Sequence, residues 1–373
     1  MHPNTLLPAL AGGIGAPLPE IQAYVKERVM SQTMKAAVLH AVGEPLRIEQ
    51  VPIPKPGPGE ILIRIAACGV CHSDLHAIDG DWSALPTLPL IPGHEITGHV
   101  AAHGAGVSEP PIGAAVGMPW MYSACGTCEF CLGGMETICA QRESTGYSKQ
   151  GGYAEYMVAP AGFVATIEPG ADLYALAPIL CAGVTTYRGL KRSRARAGQW
   201  VAVMGIGGLG HVAVQYAVAM GLRVAAIDVS ADKLELARSY GAECLVDALD
   251  NPVETLKRHI PGGVHAVLVT ATANAAFEQS VRMLRPGGTA VFIGLPGGDA
   301  DTVRASISSI SGWELSITGS NIGTRQDLNE AVAFAARGQV KAQVNLERLD
   351  DINDIFARMR QGQLVGRTVL KIA

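Results

Sequence analysis

Val201-Ala202-Val203-Met204-Gly205-Ile206-Gly207-Gly208-Leu209-Gly210 joins four consecutive apolar residues to a G-x-G-x-x-G turn, and a helical stretch, Gly208–Gly221, runs on from it. An unbroken apolar run of that length reads as a strand buried on both faces, the kind found in parallel sheets. The glycines of such a turn allow a tight bend, close approach of the backbone to a pyrophosphate and close packing of helix on strand, and the helix N-terminus attracts phosphate charge. Alone the glycine pattern is weak. Here the following strand-like stretch, Arg223–Asp228, ends in an acid about 20 residues on, where a carboxylate receives a ribose 2′-hydroxyl. Gly205, Gly207, Gly208, Leu209, Gly210 and Asp228 are therefore the expected dinucleotide-binding residues. A carboxylate at 228 repels a 2′-phosphate, and Val229 and Ser230 supply no arginine, so NAD is expected over NADP. The competing reading of Asp228 is a cap for the next helix.

Outward from this turn, apolar strands alternate with helical stretches from about Gly183 to Gly319, including Lys233–Tyr240, which implies βαβ units and a Rossmann-like parallel sheet. Before it, from Met34 to about Gly170, short β-rich runs such as Lys35–Leu39, Ile61–Ala66 and Tyr153–Val158 are broken by Gly and Pro. After it come a helical stretch, Arg325–Arg337, and a strand-like end, Thr368–Ile372, that can return to the first region. The expected organisation is an extension, 1–33, a catalytic domain from 34–182 and 320–373, and a nucleotide domain, 183–319. The fold class is α/β.

With 373 residues, 48% hydrophobic, the chain is long enough for two buried cores and carries no apolar run suited to a membrane. A net charge of −4 removes the electrostatic basis for a dedicated nucleic-acid binder. The one basic run, Lys191-Arg192-Ser193-Arg194-Ala195-Arg196, reads as a solvated loop before a buried strand rather than a phosphate patch. Residues 1–33 lack the basic start and uninterrupted apolar core of a signal peptide, and they hold a single arginine, Arg28.

Six of the eight cysteines precede residue 140, a clustering that points to metal in a reducing compartment rather than to disulfides. Cys125, Cys128, Cys131 and Cys139 supply four thiolates from one short loop, enough to close a tetrahedral structural zinc site with no position for water. Gly126, Glu129, Gly133 and Gly134 make that segment too polar for a core. Cys68-Gly69-Val70-Cys71 is ambiguous on spacing alone: a redox pair, half of a zinc finger, or part of an open metal site that Pro92-Gly93-His94-Glu95 would complete with an imidazole. Spacing does not identify a third ligand.

The strings Ala67-Cys68-Gly69-Val70-Cys71-His72-Ser73-Asp74-Leu75-His76, Gly80-Asp81-Trp82, Pro92-Gly93-His94-Glu95, Pro119-Trp120-Met121-Tyr122-Ser123-Ala124-Cys125-Gly126 and Cys181-Ala182-Gly183-Val184-Thr185-Thr186-Tyr187 resemble the zinc-containing medium-chain alcohol dehydrogenases, most of all the tetrameric bacterial and yeast-type enzymes. The resemblance spans Met34 to Ala373. It implies a GroES-like catalytic domain beside the Rossmann domain, a cytoplasmic homotetramer, NAD and two zinc ions per chain.

It further implies that Cys71, His94 and Cys181 hold a catalytic zinc, that Asp74 fixes the tautomer of His94, and that Glu95 tunes the local charge or transiently displaces a ligand. Cys68 and Cys244 would be bystanders. Ser73 would take the alcohol proton and His76, reached through the cofactor ribose, would exchange it with solvent. By the same match His72 and Arg367 meet the cofactor pyrophosphate, Lys233 the adenosine ribose and Thr185 the nicotinamide. Trp82 and Trp120 line the substrate pocket, which favours short, unbranched primary alcohols and their aldehydes. Two stretches depart from the family: Ile96-Thr97-Gly98 stands where Gly-Val-Gly is usual, and Phe292-Ile293-Gly294-Leu295 is bulky on the nicotinamide side. Against the alternatives, polyol dehydrogenases usually present an acid at Cys181, and cinnamyl-type enzymes usually take NADP. A zinc-stabilised binding protein would tolerate loss of Ser73 or His76, and a thiol-redox sensor would need Cys68.

Overall fold

The computed structural model describes residues 33–82, 84–296 and 302–372, so all of the N-terminal extension but Thr33 lies outside the described residues. The glycine motif follows the strand Trp200–Met204, one residue longer than its apolar run, and precedes the helix Gly210–Ala219. That strand sits inside a six-stranded, wholly parallel sheet in the order Cys244–Asp247, Arg223–Asp228, Trp200–Met204, Val264–Val269, Leu284–Phe292, Ser316–Gly319.

Alternation along each strand divides its side chains between two cores. Val201, Val203, Val224, Ala226 and Leu268 join one, with the helices Ala182–Arg192 and Gly210–Ala219, while Ala202, Met204, Ala225, Ile227 and Val267 join the other, with Pro252–His259 and Asn274–Met283. Both faces are covered, which is why these strands are apolar throughout. Strand order reverses between Trp200–Met204 and Val264–Val269, and a doubly wound sheet opens its ligand crevice at the carboxyl ends of such a pair.

The other half is built on a seven-stranded sheet in which Val344–Arg348, Arg367–Lys371, Glu60–Val70, Glu95–His103, Ala115–Met118 and Ala165–Thr166 follow in order, with Tyr156–Pro160 also pairing Glu60–Val70. The C-terminal strand therefore does return to the first region, antiparallel to Glu60–Val70. Register there positions the site: Gly69 faces Glu95 on one side and Val369 on the other. Gly69 is required, because a Cβ would overlap the Glu95 side chain. The core of this half, from Met34 to Leu370, includes the helix Ile352–Arg360. Helix Arg325–Ala336 packs instead beside Ala182–Arg192 and Gly210–Ala219, where the Tyr216 hydroxyl donates to Ala331 O at 3.0 Å.

One strand begins later than its pattern suggests. Tyr153 precedes Tyr156–Pro160, and its backbone bonds Ala37 and Pro92 while its ring lies under Gly93. Among the described residues no helix is long and apolar enough to cross a membrane.

Candidate active site

The strand Glu60–Val70 ends just before Cys71, which starts the helix His72–Asp79. Asp74, Leu75, Ala77 and Ile78 form the buried face of that helix, leaving His72, Ser73 and His76 on the open one. Ser73 and His76 are one turn apart and neighbours on that face. His76 Nδ1 lies 2.7 Å from Asp81 Oδ2, so the imidazole reaches the surface beside an acid.

Asp74 is fully buried and joins three groups. Its Oδ1 lies 2.7 Å from His94 Nδ1, and its Oδ2 accepts from the Cys71 amide at 3.0 Å and from the Tyr153 hydroxyl at 2.8 Å. Holding Nδ1 in this way leaves His94 Nε2 as the free lone pair, the tautomer a metal ligand needs. Gly93, at φ 95°, delivers His94 while its missing Cβ makes room for the Tyr153 ring and Cys68 Sγ.

The side-chain donors of Cys71, His94, Glu95 and Cys181 all lie within 4.8 Å of one another, with His94 Nε2 3.3 Å from Cys181 Sγ. Cys181 arrives from the other half of the chain, immediately before the helix Ala182–Arg192. Two thiols, an imidazole and a carboxylate suit zinc. Two charge effects fit a cation there. Glu95 Oε2 is buried with no hydrogen-bond partner, and burial pushes the Glu95 carboxyl up to about 8 against the pull of Arg367.

Arg367, 5% exposed, pairs with Glu95 Oε1, and its Nη1 stands 3.0 Å from where a Cβ on Gly208 would lie. One guanidinium thus borders both the donor cluster and the glycine turn. Gly205 takes φ 92°, and a Cβ on Gly210 would strike Gly205 O, so both glycines are needed by the turn itself. Gly207 faces open space, and Leu209 leads into the helix.

Asp228 accepts from the Ile206 amide at 2.6 Å and from the Ser230 amide at 3.0 Å. The helix cap is Ser230, whose hydroxyl accepts from the Lys233 amide at 3.5 Å. Asp228 instead ties the glycine turn to the end of the second strand. Lys233 is exposed on that helix, and Thr185 lies in the first turn after Cys181, its amide donating to Cys181 O at 2.9 Å.

The wall facing the donor cluster is aromatic. Trp120 meets His94 edge-on at 4.7 Å between ring centroids and Trp82 at 5.8 Å, and Tyr147 stands 5.1 Å from Trp82. Tyr147 and Tyr153 escape sequence reasoning, because neither lies in a motif and each reaches the site from a distant segment.

A second donor group joins Cys125, Cys128, Cys131 and Cys139, all four sulfurs within 4.8 Å of one another and all free thiols. The Thr127 amide, and after it the Cys128 amide that donates to Cys125 Sγ at 3.3 Å, hold the Cys125 thiol down, at about 6. Amide donors of this kind favour thiolates, as a structural zinc requires. The loop is anchored through Glu136, which receives the Arg325 amide at 2.7 Å and its guanidinium at 2.8 Å. Cys68 is buried outside both clusters, and Cys244 lies in the nucleotide-side core.

Fold and site together define a zinc-binding oxidoreductase that uses a nicotinamide cofactor. Residues 57–169 match the alcohol dehydrogenase GroES-like domain family and residues 208–337 the zinc-binding dehydrogenase family. Alcohol dehydrogenases of Moraxella sp. (strain TAE123) and Geobacillus stearothermophilus are 52% and 50% identical to this chain, covering 90% and 91% of it and 99% and 100% of their own lengths. Among solved structures, the Aeropyrum pernix alcohol dehydrogenase superposes with a TM-score of 0.82 at 34% identity, covering 90% of this chain and 99% of its own. The acetophenone reductase of Geotrichum candidum in complex with NAD gives 0.80 at 30%, covering 91% and 97%. The Helicobacter pylori CAD complexed with NADP(H) gives 0.81 at 27%, covering 91% and 98%. The chain belongs to the zinc-type, medium-chain alcohol dehydrogenases.

Proposed function

We propose that this alcohol dehydrogenase is NAD-dependent, oxidises short primary alcohols and reduces their aldehydes, and carries two zinc ions per chain, a catalytic one on Cys71, His94 and Cys181 and a structural one on Cys125, Cys128, Cys131 and Cys139. The observation that carries the reading is the convergence of Cys71, His94 and Cys181 beneath Trp82 and Trp120. When bound, zinc supplies the Lewis acidity that lets an alcohol lose its proton near neutral pH, and the nicotinamide supplies the hydride acceptor.

The chain's own residues do the rest. Asp74 orients His94, and Glu95 with Arg367 sets the charge beside the ligands. Ser73 receives the substrate proton and His76 passes it to solvent. The two indoles narrow the cavity, which disfavours branched substrates. Asp228 holds the ribose side with a buried carboxylate, and the neighbouring Val229 and Ser230 offer no cation to a 2′-phosphate. His72, Arg367, Lys233 and Thr185 complete the cofactor contacts.

The domain division at 34–182 with 320–373, and 183–319, the homotetramer and a cytoplasmic location belong to the same reading. Rates of NADH and NADPH formation from ethanol, butanol and a bulky secondary alcohol test it. Butanol with NAD should be much the fastest pairing, and preference for NADP or for the secondary alcohol would overturn it.

A further inference from the structure

The basic run 191–196 is not one solvated loop. Lys191 is spent on Asp327 at 2.8 Å and Glu330 at 2.7 Å, and Arg192 donates to Gly319 O and Thr318 Oγ1. Arg194 and Arg196 instead line a cavity of about 370 Å³ with Arg285, His265, Thr289 and Ser316. No carboxylate borders it, and among the described residues none of the three arginines forms an ion pair. The cavity lies at the amino ends of Trp200–Met204 and Val264–Val269, the opposite edge of the sheet from the glycine turn.

Besides the unpaired arginines, one feature marks it as a site for a ligand, a shortage of acceptors. The Trp200 amide can only donate, and it points at His265 Nδ1 from 3.2 Å, so the hydrogen of a neutral ring sits on Nε2. Yet Arg285 Nη1, also a donor only, stands 2.6 Å from that Nε2. Burial and the Arg285 charge hold His265 toward the neutral form, so protonation does not relieve the conflict. Turning the exposed Arg285 side chain away from Nε2 would admit an oxyanion that accepts from both.

We propose that this cavity binds a small phosphate-bearing anion, at a site separate from the dinucleotide crevice. Guanidinium forks match phosphate oxygens in pairs, and the cavity falls in the size range of small-molecule sites, roughly 300–1,000 Å³. The cavity is small and half open to solvent, and it gathers the exposed Arg194 and Arg196 from the loop after one helix and the exposed Arg285 from a distant strand, which suits a compact anion better than an extended polymer.

The test is calorimetric titration of the full chain, its cofactor crevice saturated with NADH, with inorganic phosphate and with glycerol phosphate against chloride at equal ionic strength. One saturable site per chain is expected for phosphate, about tenfold or more weaker in Arg194→Gln/Arg285→Gln, with alcohol oxidation retained. Arg196→Gln is a second, milder variant should the double one fold poorly. Tighter binding of glycerol phosphate would identify a monoester as the source, and equal binding would identify the free ion. Binding no stronger than chloride, binding indifferent to the substitutions, or binding to phosphatidylserine vesicles without binding of free phosphate would each overturn the proposal.

Discussion

Arg367 and Glu95 form a buried ion pair between the C-terminal strand and the strand that follows His94, and the same guanidinium overlies Gly208 of the nucleotide turn. Two sites read from separate motifs are therefore joined by one side chain. Removing Arg367 leaves Glu95 buried without its partner, and because burial already pushes that carboxyl up to about 8 it takes up a proton, so the cost is that of an unsatisfied buried polar group, about 1–3 kcal/mol. Arg367→Gln should lower stability in urea by that order and weaken NADH binding, read by fluorescence titration. Glu95→Gln added to it should recover part of the stability and none of the cofactor affinity.

Asp74 offers a second test. Loss of the partner that orients a metal-bound imidazole typically reduces metal affinity about 10–100-fold. Asp74→Asn should do so, measured by chelator competition for the zinc proposed at Cys71, His94 and Cys181. Tyr153→Phe removes one hydrogen bond to Asp74 and should cost only about 1 kcal/mol of stability, with a smaller loss of zinc.

The four-cysteine loop should fail differently. Cys131→Ser should halve the zinc content, two ions falling to one, and lower Tm by freeing the loop that Arg325 grips through Glu136. The surviving folded protein should keep its kcat, because none of the residues assigned to proton transfer lies in the loop. Loss of kcat in step with zinc, without loss of Tm, would contradict the structural assignment.

Asp327 gives a pH dependence with a defined sign. It accepts from Arg188 at 2.6 Å and pairs with Lys191 at 2.8 Å; burial raises its carboxyl, but Lys191, Thr324 and Arg188 together hold it down to about 2. A folded value below the unfolded one, about 3.9, stabilises the protein fully above about pH 4, and that stabilisation is lost as pH falls toward 2. The contribution is on the order of 2 kcal/mol. Urea unfolding between pH 5 and pH 2.5 should be less steeply pH-dependent for Asp327→Asn than for the wild type.

Trp200–Met204 and Arg223–Asp228 are legible to within a residue because both faces of each strand are apolar and each ends at a turn or an acid. The four-thiolate loop is legible because all its ligands lie within one short segment. Cys181 is not, since it sits 87 residues from His94 and joins the cluster only when the two halves pack, so only resemblance supplies it. Tyr153 and the Glu136–Arg325 anchor are equally silent, being pairings across 79 and 189 residues that no local period encodes. The basic run misleads for the same reason: its partner arginine and histidine, Arg285 and His265, come from other strands.

NADH absorbance during butanol oxidation by zinc-loaded wild type and by Cys181→Ser, with metal content measured on both, tests the central claim most directly. The wild type should turn over with two zinc ions per chain, and Cys181→Ser should lose turnover and one zinc while keeping the four-cysteine zinc and the wild-type Kd for NADH. Full turnover by Cys181→Ser, or undiminished turnover of wild type after chelation has emptied the site at Cys71 and His94, would contradict it.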